Sequence, residues 1–275
     1  MERSSLGIEV ITLTLASCLA CLAQSTPVSL VAKKLSGVWV ENVSKTKIGD
    51  SFANLRFRQT AEGGLEELRG AEARPLAQPI KFGAKAYAID GSVNTLEWKQ
   101  IDSRHFERKI FHEGKLQNTR HIEISADGKT LTQVTDSNPI GGKKSTITIV
   151  HERISGGPEG LSGIWKPVSV KSNPPAEVRY ELIGTDGLKF SESNGRTYAL
   201  HLDNTPVAAR GPTVIAGTMV ASRAVDDHTM EQTDSREGVV TGKSVISVSA
   251  DGKTLTVTST PAGAKEPSVF VYEKR

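Results

Sequence analysis

Apolar and polar residues alternate with a period of two along most of the chain from Val38 to Lys274, in short runs separated by glycine-bearing turns. Successive side chains of a strand point to opposite faces, so each run reads as a half-buried strand, and a spacing of about eight to twelve residues is typical of antiparallel all-β domains. In the first half the pattern predicts strands over 38–43, 53–60, 65–70, 80–88, 93–100, 105–111, 116–125, 130–136 and 145–153. In the second it predicts them over 164–170, 177–183, 188–193, 196–202, 213–224, 228–233, 239–249, 254–260 and 268–274. Glu62-Gly-Gly64, Asp90-Gly91, Glu113-Gly114, Asp127-Gly128 and Gly141-Gly142 punctuate the first set, and Asp186-Gly187, Asn194-Gly195 and Asp251-Gly252 the second. No stretch sustains a helical period, so little helix is expected.

The strongest turn signal occurs twice. Ser125-Ala-Asp-Gly-Lys-Thr-Leu-Thr132 recurs unchanged from Ser249 to Thr256, and Asp-Gly suits a tight hairpin because both residues tolerate positive φ. The match extends without a gap over 101–132 against 225–256. Further out, Leu35-Ser-Gly-Val-Trp39 answers Leu161-Ser-Gly-Ile-Trp165, and Val150-His-Glu-Arg153 answers Val271-Tyr-Glu-Lys274. A repeat far longer than solenoid periods implies duplication of a whole domain. The expected division is therefore 35–154 and 161–275, joined by the linker Ser155-Gly-Gly-Pro-Glu-Gly160. Within the hairpins the apolar pattern selects a register in which Val248 faces Leu255 and Ile246 faces Val257, with Ile124 opposite Leu131 and Ile122 opposite Gln133 in the first copy. A slip by one residue would bury Ser247 and Thr254 instead. Aligning Tyr87 with Tyr198 gives the first copy extra length around 61–78, and the second an extra loop over 202–217.

Composition adds little. The 275 residues are 37% hydrophobic and 24% charged with a formal net charge of +3, and lysines and arginines alternate with acids, as in Glu107-Arg-Lys109. That pattern predicts a solvated surface of mixed sign and no nucleic-acid partner. Residues 10–23 are an apolar run behind Arg3, closed by Cys21-Leu-Ala23, which reads as a secretory signal peptide over 1–23; it is shorter than the ~20 residues of a membrane span. Export to the periplasm or beyond is the expectation, and a lipid anchor at Cys18, within the lipobox-like Leu15-Ala-Ser-Cys18, is the alternative. Cys18 and Cys21 are the only cysteines, so a chain cleaved after Ala23 carries no disulfide. Residues 24–34 read as a polar tether, and no later run of 18 apolar residues suggests a membrane span.

Gly-x-Trp opening the first strand, about nine antiparallel strands after it and a basic residue on the last one resemble the lipocalin-like (calycin-type) barrels. The Asp-Gly hairpin followed by a terminal Tyr-Glu-Lys is similar to tandem domains of that type in exported bacterial proteins. The resemblance implies an all-β protein of two tandem up-and-down antiparallel barrels. It also implies that each tryptophan closes one barrel end beneath a cation from the final strand: Trp39 with Arg153, and Trp165 with Lys274.

Candidate chemistry is sparse. Asp226-Asp-His228 with Glu231 has the residue types of a metal or acid/base cluster, but the first copy carries Asp102-Ser-Arg104 in its place, and a solvated turn entering a strand is the preferred reading. His105, His112, His121 and His151 read as isolated side chains, and Trp98 as core or barrel wall. No nucleophile elbow or phosphate loop is present, so no catalytic, cofactor or metal residue is assigned. A barrel of about eight strands leaves room for side chains or one small ligand. The chain is therefore expected to be a non-enzymatic, duplicated barrel protein that binds a small apolar or amphipathic molecule in one or both cavities. A structural or interaction module of the envelope with filled barrels is the alternative, and a barrel-mouth hydrolase or isomerase using Asp226, His228 or Glu231 ranks third.

Overall fold

The Asp-Gly hairpins close in the register that the apolar pattern selects. Val248 pairs with Leu255 and Ile246 with Val257; Ile124 pairs with Leu131 and Ile122 with Gln133. The last pairing is Ser249 with Thr254, where the Ser249 amide donates to the Thr254 carbonyl at 2.9 Å, so the loop spans four residues rather than two. Ser249 Oγ accepts the Thr254 amide and donates to Asp251, and Gly252 takes φ 70°, which only glycine adopts freely. Ser125, Asp127 and Gly128 repeat the arrangement in the first copy.

The structure, a computed structural model, describes residues 27–49, 54–69, 75–89, 94–138, 144–157, 159–184, 187–211 and 214–275. The leader with Cys18 and Cys21, and the turns Asp90-Gly91 and Gly141-Gly142, lie outside the described residues. The protein is all-β with one short helix, and its strands form two ten-stranded antiparallel sheets. One is a near-closed barrel, running from Thr197–His201 through Gly187–Glu192, Glu177–Ile183, Gly37–Glu41, Ser268–Lys274, Thr254–Pro261, Val239–Val248, Thr229–Arg236 and Thr218–Ala224 to Val207–Ala208. Its ends meet where Thr197 and Arg210 exchange backbone hydrogen bonds of 2.8 and 2.9 Å. The other is a half-barrel, running from Leu76–Ile80 through Leu65–Arg69, Leu55–Gln59, Gly163–Asn173, Ser145–Ser155, Thr130–Ser137, Lys115–Ile124, His105–His112 and Asn94–Gln100 to Tyr87–Ala88. Its two edge strands are not paired with each other among the described residues.

The opening strands are exchanged between the copies. Gly37–Glu41 leaves the first copy and inserts between Glu177–Ile183 and Ser268–Lys274 of the second, pairing Trp39 with Val178 and Lys274. Gly163–Asn173 in turn inserts between Leu55–Gln59 and Ser145–Ser155 of the first, pairing Trp165 with Leu55 and Arg153. Two separate apolar cores follow, one holding Trp39 among second-copy side chains and the other holding Trp165 among first-copy ones. The cation pairing implied by the resemblance is thus crossed. The Arg153 guanidinium lies 3.8 Å from the Trp165 ring and the Lys274 ammonium 4.9 Å from that of Trp39.

The repeated Leu-Ser-Gly-x-Trp explains why either strand serves either sheet. Both indoles donate to the carbonyl four residues earlier, Trp39 to Leu35 at 2.7 Å and Trp165 to Leu161 at 2.8 Å. The glycines take φ 135° and 128°; a Cβ at Gly37 would press on the Lys274 side chain and one at Gly163 would strike the Ser155 carbonyl. Arg153 also donates to the carbonyls of Gly128, Gly160 and Ser162, tying the Asp-Gly hairpin to the chain that leads into Trp165.

Other expectations change accordingly. The segment read as a linker joins two strands paired within the half-barrel, Ser145–Ser155 and Gly163–Asn173, and the chain passes from one sheet to the other between Glu41 and Leu55 and between Asn173 and Glu177. The supposed tether contains the helix Pro27–Leu35, whose Val31, Ala32 and Leu35 are fully buried in the barrel core. The runs 80–88 and 213–224 are each interrupted, near Gly83 and Gly217, both with positive φ. Register makes Gln78, not Tyr87, the counterpart of Tyr198, because each lies opposite matching positions, Glu67 and Phe190. The length difference early in the copies is correspondingly small. No described helix is long and apolar enough to cross a membrane.

Candidate ligand-binding site

The inner faces of the two sheets differ although the strands are the same. In the half-barrel, the residues nearest Trp165 are apolar, with Phe106, Ile122, Ile124 and Leu131 buried together. One pleat further toward the mouth the same strands place Arg108 opposite Arg120, and Arg120 opposite Thr135. Beyond them opens a cavity of about 640 Å³ in which Leu55, Ile110, Ile147 and Ile149 are interspersed with polar groups: Ile110 lies opposite Asn118, Ile147 opposite Thr135 and Ile149 opposite Gln133. Five arginines and two carboxylates line it: Arg56, Arg69, Arg108, Arg120 and Arg196 against Glu67 and Asp234. Arg196 and Asp234 come from the barrel and pair at 3.0 Å.

Like charges placed directly opposite on adjacent strands are destabilising. Glu67 relieves this pair only in part. Its carboxylate receives both contacts from Arg108 Nη1, at 2.9 and 3.0 Å, while Arg120 Nη1 stays 3.6 Å away. Arg108 and Glu67 are almost fully buried, with side-chain exposures of 5% and 6%. Burial opposes ionisation of Glu67, yet Arg108, Arg120 and Arg69 together hold its carboxyl below the usual range. Burial and the neighbouring Arg108 push Arg120 down to about 9, so its charge persists at neutral pH with too little compensation. Among the described residues, the Nε of Arg108, the Nε of Arg120, the Oδ1 of Asn118 and the Oε1 of Gln133 are buried without a hydrogen-bond partner. Unpartnered buried polar atoms are uncommon in folded proteins, and these four belong to residues that line one cavity.

The second copy shows what the scaffold does without these groups. By register, Gln232 stands where Arg108 does, Ser244 where Arg120 does, Phe190 where Glu67 does and Val257 where Gln133 does. Tyr198 donates to Gln232 at 2.9 Å, and Tyr180, Phe190 and Tyr198 stack along the interior. In that barrel Gln232 has its partner, and Ser222 Oγ is the buried side-chain polar atom left without one among the described residues. The arginine layer is therefore not required to build a sheet of this kind.

No family model, curated protein or solved structure matches the chain. The site must accordingly be read from its own geometry.

The residues weighed from sequence lie elsewhere. Asp226 accepts the His228 amide at 2.8 Å, Asp227 pairs with Lys34 of the helix at 2.7 Å, and Glu231 pairs with Arg223, so the set is divided among structural contacts. His105 contacts Asp102, His112 contacts Asn94, and His121 faces Glu107 at 3.7 Å on an exposed face. Trp98 is a buried wall residue against Phe57 and Phe82. No group of three potential metal ligands occurs among the described residues. The arginines were missed because Glu107-Arg-Lys109 looks like mixed surface charge. The signal that identifies them is the inward set Phe106, Arg108 and Ile110, in which an arginine takes an apolar face's place.

His151 is the one histidine inside. It is fully buried at the depth of Leu131, where the second copy has Tyr272, and neither ring nitrogen finds a well-formed hydrogen bond. Burial lowers its pKa from 6.5 to about 4. Between those values the unfolded chain binds a proton that the folded chain does not, so stability falls as pH drops through that window and is unaffected by this group above it. Urea unfolding at pH 7 and pH 4 is expected to show wild type losing about 3 kcal/mol more than His151→Phe. Equal losses would mean that the imidazole is not buried neutral.

Proposed function

We propose that the protein is an exported, non-enzymatic carrier that takes one small amphipathic molecule into the cavity of its half-barrel. The observation that carries this reading is the contrast between two copies of one scaffold: one interior packs Tyr180, Phe190 and Tyr198 against one another, and the other places Arg108, Arg120 and Glu67 in the lining of a cavity of about 640 Å³ that also holds Ile110, Ile147 and Ile149. Ligand pockets span about 300–1,000 Å³, and the cavity falls within that range. The lipocalin-like pattern of tryptophan, up-and-down strands and capping cation supports the same reading, and the apolar segment at 10–23 supports export. The barrel supplies Gly37–Glu41's neighbours and one rim of the cavity.

Displacement of a fluorescent long-chain amphiphile, with stoichiometry from native mass spectrometry, tests the proposal. Saturable binding of one molecule per chain is expected, and Ile147→Trp, which places a larger side chain in the cavity lining, abolishes it. Absence of saturable binding, or binding indifferent to Ile147→Trp, removes the half-barrel from consideration.

A further inference from the structure

Resting on that reading, we infer that the ligand carries a doubly charged anionic head, a phosphate monoester or its chemical equivalent, which docks among Arg69, Arg108 and Arg120. Three guanidinium groups surround one carboxylate, so among the described residues the layer keeps two positive charges without a counter-ion. Buried charges are stable only when paired and hydrogen-bonded, and a dianion would bring this layer to neutrality where a monocarboxylate would leave one charge over. Geometry agrees with charge. The Arg108 and Arg120 side chains are 5% and 16% exposed, and each retains a buried Nε–H with no acceptor among the described residues. Glu67 occupies Nη1 of Arg108. Planar guanidinium forks with free N–H groups match tetrahedral oxyanions, which offer several acceptor oxygens at once. Ile110, Ile147 and Ile149 line the same cavity and would take the apolar remainder of the molecule. The second copy, with Gln232 and Ser244 at the matching positions, has no arginine pair there.

Calorimetric titration of the full chain at pH 8 with decyl phosphate, decanoate, decanol and inorganic phosphate tests the inference. Decyl phosphate is expected to bind at least about tenfold more tightly than decanoate, since each charge-assisted hydrogen bond is worth roughly that factor or more. Decanol should bind weakest of the three amphiphiles, and inorganic phosphate should compete with decyl phosphate at higher concentration. Arg120→Met lowers the charge excess to one, so it should weaken decyl phosphate about tenfold or more and change decanoate by less than about threefold, a loss of selectivity that general destabilisation would not produce. Glu67→Gln should act in the opposite sense and tighten both anions. Decanoate or decanol equal to decyl phosphate, with no response to Arg120→Met, would overturn the dianion assignment while leaving the carrier reading intact. Failure of every amphiphile to bind would overturn both.

Discussion

Trp165→Ala is expected to destabilise the protein by about 3–5 kcal/mol, and to do so in the sheet of the other copy. Trp165 is fully buried among Leu55, Phe106, Ile124 and Leu131, all from the first copy, with its ring beneath Arg153. Truncation leaves a large cavity there and removes the indole hydrogen bond to Leu161. Amide hydrogen exchange should therefore accelerate across Lys115–Ile124, Thr130–Ser137 and Ser145–Ser155, while Val239–Val248 and Thr254–Pro261 keep their protection. Trp39→Ala should give the mirror image, since Trp39 packs with Tyr180, Met230 and Leu255. If each substitution instead loosened the strands of its own copy, the strand exchange would be wrong.

Glu67→Ala should cost about as much, roughly 3–5 kcal/mol, by a different route. The substitution removes few contacts but leaves Arg108 buried opposite Arg120 with no carboxylate between them. The double replacement Glu67→Phe with Arg108→Gln imports the residues that the second copy uses at these positions, and is expected to recover most of the loss. A buried ion pair is costly to break and often cheap to replace whole. Urea denaturation of the two variants decides it: a double variant as unstable as Glu67→Ala would mean that the arginine layer is part of the half-barrel's framework, not an addition to it.

Much of the architecture was legible in the sequence because local chemistry determines it. The strands Glu177–Ile183 and Ser268–Lys274 coincide with their apolar runs, and the hairpin registers follow from which slip would bury serine and threonine. Partner choice was not legible. Leu-Ser-Gly-x-Trp specifies a strand that caps a sheet beneath a cation, yet both copies carry it with the same glycine and the same indole-to-leucine hydrogen bond, so nothing in either motif says which sheet receives it. The chain passes from Asn173 in one sheet to Glu177 in the other over three residues, a connection that periodicity does not record. The helix Pro27–Leu35 was hidden for another reason: among its described side chains Val31, Ala32 and Leu35 are the buried ones, and three positions are too few for a helical period to stand out. The candidate site was obscured by its own composition, since an arginine between a glutamate and a lysine looks solvated until the neighbours two residues away are considered.

Cysteine cross-linking across the inserted strands tests the central claim most directly, in a chain whose Cys18 and Cys21 are replaced by serine. Val40 lies opposite Glu273, and Glu152 opposite Lys166. Peptide mapping of the oxidised monomer should find disulfides in Val40→Cys/Glu273→Cys and in Glu152→Cys/Lys166→Cys, and none in Val40→Cys/Glu152→Cys. Efficient bridging in the last variant, with none in the first two, would contradict the exchange and return each opening strand to its own copy.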